Sequence, residues 1–179
     1  LADPQNIHNM DSQNWRVALW EALVDAELTL AWCSEAGGGA GASLADGFAI
    51  QRVVGEFATP IPLAETLLAG WLLEQTGMDT PSGPMSVAPI NEGIDLNLDD
   101  EGRLYGVVER VPFASETEHL VTLCKSSAEV KVVLVETAAC GLGGGFRKFY
   151  PENRGNMYKL CNNTQNKTLK NHFQELRIE

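Results

Sequence analysis

Cysteines, histidines and carboxylates are the residues of this chain able to do chemistry by type, and their spacing assigns most of them to structure. Cys33, Cys124, Cys140 and Cys161 contain no Cys-x-x-Cys pair, so buried reduced thiols are expected rather than a zinc site or a disulfide framework. His8, His119 and His172 stand in unrelated settings, without the Ser/His/Asp context a nucleophile needs. Asp99-Asp100-Glu101-Gly102 reads as a solvated turn between strands, not a metal site, with Gly102 supplying positive φ. Gly141-Leu142-Gly143-Gly144-Gly145 lacks the Gly-x-Gly-x-x-Gly spacing of a dinucleotide loop and reads as a joint. Glu35, Glu56 and Glu65 fall near helix ends or faces, where carboxylates cap or face water. No catalytic residue and no metal ligand is assigned on these grounds.

The elements that would position a site are organised around Ser34 to Gly77. Gly37, Gly38, Gly39 and Gly41 allow a tight approach to a helix start. Ser43 and Asp46 have the spacing of a capping box, and Ala49, Ile50, Val53, Val54 and Phe57 follow at helical intervals. Pro60 and Pro62 stop that helix and start the next, which runs to Gln75 with Gly77 just beyond its end. Upstream, Ser12 caps a helix striped by Trp15, Leu19, Leu23 and Ala26, and Leu28, Leu30 and Trp32 alternate as a short extended connection. The four tryptophans are read as packing residues. After a linker at 78–84 the period shifts to two. Met85–Ile90, Leu96–Leu98, Leu104–Val111, His119–Leu123 and Val130–Val135 are strand candidates.

The expected fold is therefore α+β: an N-terminal helical layer followed by a small antiparallel β barrel-like domain. Residues 1–80 form the helical domain and 81–140 the middle β domain. Residues 141–179 are a basic tail with a short helix near 168–177. Residues 1–146 hold 6 Lys/Arg against 21 Asp/Glu, whereas 147–179 hold 7 against 3. The total formal charge of −11 argues against nucleic acid as a partner. No run is long and apolar enough for a membrane span, and the first ten residues have no signal-like pattern, so a cytoplasmic protein is expected.

Glu35-Ala36-Gly37-Gly38-Gly39-Ala40-Gly41-Ala42-Ser43-Leu44-Ala45-Asp46 resembles the Pro-Glu-x-x-Gly-Gly-x-Gly-x-Ser-Leu segment of acyl-CoA dehydrogenases. As in that family, a helix, a proline joint and a second apolar helix follow, and the resemblance covers roughly residues 12 to 135. Ser34 stands where the family has proline and Gly37 where it has an aromatic. The resemblance implies a flavoenzyme fold in which FAD takes a hydride from an acyl-CoA thioester and a carboxylate takes the neighbouring proton. Of the family's Thr-Glu-Pro segment this chain has Val87-Ala88-Pro89, keeping only the proline. Of its Trp-x-Thr/Ser segment it has Phe113-Ala114-Ser115. Pro89, Phe113 and Ser115 are thus the implied cofactor contacts, with the alternative that Phe113 is core and Ser115 opens a turn. The family's C-terminal helical bundle, which holds the base, has no counterpart in residues 147–179. A truncated relative follows, not catalytic alone, and dependent on a partner chain for bundle and base. The alternative is a non-catalytic binding or structural module that self-associates as a homo-oligomer.

Overall fold

The computed structural model describes residues 14–88, 96–99, 104–108, 110–126 and 129–140. Three helices come first: α1 (Asn14–Asp25), α2 (Leu44–Glu56) and α3 (Leu63–Gln75). The start of α2 is the predicted capping box. The Asp46 backbone N–H donates to Ser43 Oγ, while the Ser43 backbone N–H and hydroxyl both donate to the Asp46 carboxylate. Such a cap is worth about 1 kcal/mol. All three helices end alike. Glu27 (φ 57°), Ala58 (φ 46°) and Gly77 (φ 67°) take the left-handed conformation, and the next residue's N–H reaches back to the carbonyls of Leu23, Val54 and Leu73.

Between α1 and α2 the chain does not extend as the alternation of Leu28, Leu30 and Trp32 implies. It turns, because Ala31 and Cys33 are buried and backbone bonds run from Cys33 N–H to Leu30 and from Ala42 N–H to Ala31. A single 3-10 turn at Glu35–Gly37 leads into the glycine loop. Gly39 lies against this segment so closely that a Cβ would collide with the carbonyl oxygens of Leu30 and Cys33. Glu74, at the end of α3, fastens the loop by accepting bonds from both the backbone N–H and the hydroxyl of Ser34.

The strands are β1 (Met85–Val87), β2 (Asn97–Leu98), β3 (Leu104–Tyr105), β4 (His119–Ser126) and β5 (Glu129–Glu136). The α+β class stands, with three helices and a small sheet. The sheet is mixed rather than antiparallel throughout, and its described strands do not close into a barrel. β5 pairs antiparallel along the full length of β4. The other edge of β4 is shared end to end: β1 pairs parallel with residues 119–121, and Asn97 of β2 pairs parallel at Lys125. A parallel neighbour needs a long crossover, and the stretch between β1 and β4 supplies it. The tail and its proposed helix at 168–177, the glycine run at 141–145 and Pro89 lie outside the described residues.

Helices and sheet share one seam. Ala69 and Leu73 of α3 pack on Met85 and Val121, all fully buried. Thr66 strengthens the join, its hydroxyl accepting from the Met85 N–H at 3.0 Å and lying 2.7 Å from the Pro62 carbonyl to which it donates. A second joint is ionic: Arg16 of α1 meets Glu116 at 2.7 Å and also donates to the Pro60 carbonyl at 2.5 Å.

Candidate functional site

The helical layer and the β part do not close completely. Between them lies an open cleft of about 540 Å³, within the usual range for small-molecule sites. Its helical wall carries Trp32, Phe48, Gln51, Ala64, Glu65 and Leu68, and its β wall Val87, Arg110 and Pro112. A void of about 30 Å³ inside the sheet, lined by apolar side chains such as Leu96, Val108 and Leu120, has room for a water or two. The cleft is therefore the candidate site.

Local packing explains the helical wall. Gly47, on the buried face of α2, sits against the Trp32 indole, and a Cβ there would collide with it. This close approach stands Phe48 edge-on to Trp32 at 5.3 Å, leaving Phe48 59% exposed toward the opening. The Trp32 indole N–H is buried and has no partner among the described residues. Glu65 comes from the first turn of α3, and partial burial holds its carboxyl above the usual carboxylate range, its own backbone N–H opposing that shift.

The β wall is a strained loop. Four described non-glycine residues take positive φ, and two of them, Glu27 and Ala58, close helices. The other two, Arg110 (φ 60°) and Phe113 (φ 49°), flank Pro112 and close no helix. Each costs on the order of 1–3 kcal/mol and persists only where the surroundings fix it. Two clasps do so. Ser86 donates its hydroxyl to the Pro112 carbonyl, and Arg16 holds Glu116 at the far end of the turn. Within the turn the Phe113 carbonyl accepts from the Glu116 N–H at 2.8 Å and the Thr117 hydroxyl at 3.2 Å.

Of the residues implied as cofactor contacts, Phe113 is half-buried in this turn and Ser115 is exposed on it. Neither is among the cleft-lining residues, where their neighbours Arg110 and Pro112 stand instead. Pro89 lies beyond the described segment that ends at Ala88. Sequence reasoning missed Arg110, whose one signal is being the sole cation between Arg103 and Lys125. It named Glu65 but read it as a capping or solvated group.

Cys33, Cys124 and Cys140 are structural thiols. Burial pushes Cys33 and Cys124 up to about 11 and Cys140 to about 12; the Glu74 charge also raises Cys33, and Lys131 opposes the rise at Cys124. Among the described residues no group of three His, Cys, Asp or Glu is placed to hold a metal ion, and no helix is long and apolar enough to cross a membrane.

No family model and no curated protein matches this chain. Among solved structures, a variant of the Tcur3481-Tcur3483 steroid ACAD, an acyl-CoA dehydrogenase, is similar at 26% identity with a TM-score of 0.56. The match covers 66% of this chain and 38% of that one, so the likeness is to less than half of the steroid enzyme's chain. Helical layer, proline joint, sheet and sequence together make this chain similar to acyl-CoA dehydrogenases over about two thirds of its length.

Proposed function

We propose that this chain is the N-terminal helical and middle β portion of an FAD-dependent acyl-CoA dehydrogenase. Its division near residue 80 and its cytoplasmic setting belong to the same reading. The observation that carries it is the cleft: an apolar helical wall facing a clasped, strained β loop, in a chain similar to a steroid dehydrogenase.

The cleft residues suit a flavin or the acyl chain of a thioester. Trp32, Phe48, Val87 and Pro112 offer apolar contact. Phe113, Ser115 and Pro89 are the proposed cofactor contacts, and Arg110 and Pro112 line the cleft beside which Phe113 and Ser115 stand. Bound flavin supplies acceptance of a hydride. This chain's own part is to bind, orient and exclude water: Phe48 and Leu68 cover apolar ligand surface, while Gln51 offers hydrogen bonds.

No described carboxylate stands in the cleft except Glu65, which its burial keeps more protonated than a free carboxylate. In the same reading, a partner chain supplies the helical bundle and the proton-abstracting base. The similar steroid ACAD is a Tcur3481-Tcur3483 pair, which supports an assembly of this kind. Similarity to a steroid ACAD favours a bulky, steroid-type acyl-CoA as substrate. The test is reconstitution with FAD. Flavin absorbance retained through gel filtration, with no turnover of acyl-CoA by this chain alone, is expected. Turnover without a partner would overturn the assignment of the base.

A second reading, a non-catalytic module that self-associates, draws on the apolar flanks of α2. Val53 and Phe57 stand exposed on one side and Leu44 and Phe48 on the other. A colourless protein that elutes as a stable dimer or larger would favour it.

A further inference from the structure

The loop from Arg110 to Glu116 holds two left-handed non-glycine residues that no helix end explains, and both lie beside the cleft. Strain concentrated at a ligand-sized opening points to a side chain being held in place for contact. The two side chains differ in where they go. Phe113 turns partly inward, whereas Arg110 is exposed and lines the opening. Arg110 forms no ion pair or hydrogen bond with any described residue, although the chain as a whole carries a formal charge of −11. Across the cleft, Glu65 is the one described carboxylate, and burial disfavours its charged form. The opening therefore presents a cation within an acidic molecule, next to apolar surface from Trp32 and Phe48.

We propose that Arg110 is a ligand-binding residue of this cleft, its guanidinium taking a phosphate group of a ligand whose apolar body lies along Trp32 and Phe48. A planar guanidinium matches phosphate oxygens with two parallel bonds, which lysine does not reproduce. The clasps give the arrangement its rigidity: Ser86 fixes the Pro112 carbonyl and Arg16 fixes Glu116, so the loop is set before a ligand arrives. The proposal rests on reading the cleft as the ligand site of an acyl-CoA dehydrogenase, where the phosphate belongs either to the flavin nucleotide or to the CoA moiety.

The full chain is titrated with FAD and separately with octanoyl-CoA, as wild type, Arg110→Gly and Arg110→Lys, with thermal midpoints measured in parallel. Glycine accepts a φ of 60° without strain. Arg110→Gly is therefore expected to hold or raise the midpoint while weakening binding about tenfold or more. Arg110→Lys falls between, and added salt narrows the gap between wild type and both variants. Loss confined to FAD assigns the phosphate to the flavin; loss confined to octanoyl-CoA assigns it to CoA; each supports the proposal. Wild-type affinity of Arg110→Gly for both ligands overturns it while leaving the cleft reading intact. A wild-type chain that binds neither ligand overturns the cleft reading and the proposal with it.

Discussion

Glu65 shows how one residue's surroundings set its behaviour. Its carboxyl is raised above the ordinary value chiefly by desolvation. A group raised in the folded state favours folding when protonated, and that contribution is lost as pH climbs through the folded value. Glu65→Gln removes the cost of charging a half-buried carboxylate. Its thermal midpoint is expected to exceed wild type at neutral pH, with the difference shrinking toward zero below the carboxylate range. A constant offset at every pH would refute the desolvation account. The buried thiols give a second check. With Cys33, Cys124 and Cys140 raised to about 11, 11 and 12, alkylation of these three sites by iodoacetamide at neutral pH, followed by peptide mapping, is expected to be slow in the native protein and faster after denaturation.

Helix ends were the most legible elements in the sequence, because their signals are local. The Ser43–Asp46 box, Pro62 and Gly77 each act within a turn of their own position, and each sits where its type predicts. The ends of α1 and α2 were less legible, since Glu27 and Ala58 fill a conformation usually given to glycine. That mismatch yields a prediction. Ala58→Gly relieves a left-handed alanine and is expected to stabilise by about 1 kcal/mol, read as a raised denaturation midpoint with unchanged slope. Ser43→Ala removes the box and is expected to cost about 1 kcal/mol in the same assay. The β wall of the cleft was illegible for the opposite reason. Nothing in Arg110-Val111-Pro112-Phe113 announces two positive φ angles. The pattern of a Trp-x-Thr/Ser segment drew attention to Phe113 and Ser115, whereas packing brings Arg110 and Pro112 to the opening. Likewise, strands as short as β2 and β3 carry no register signal of their own, so their pairing, and with it the mixed sheet, appears only in three dimensions.

For the whole molecule, the join between helices and sheet is the quantity that matters. It has an apolar part, centred on Leu73, Met85 and Val121, and a polar part in Arg16. The ion pair is partly exposed, 24% for Arg16 and 43% for Glu116, so the charge term alone is worth at most about 1 kcal/mol. Arg16 also serves the Pro60 carbonyl. Arg16→Ala is therefore expected to cost more stability than Glu116→Ala, and a double-mutant cycle to return a coupling below about 1 kcal/mol. Equal losses would place the whole effect in the ion pair.

The shared edge of β4 also governs the order in which this fold can be made. β1 and β2 leave the ribosome well before His119–Ser126, yet that later strand is the parallel partner of both. Asn97–Leu98 can pair at once with Leu104–Tyr105, and the Met85 N–H with Thr66, but the parallel edge of Met85–Val87 stays unmatched until the eight-residue partner strand is translated, and non-local pairing of this kind is slow. A nascent chain arrested just short of residue 119 would be a client for chaperones, while one arrested after β5 would not.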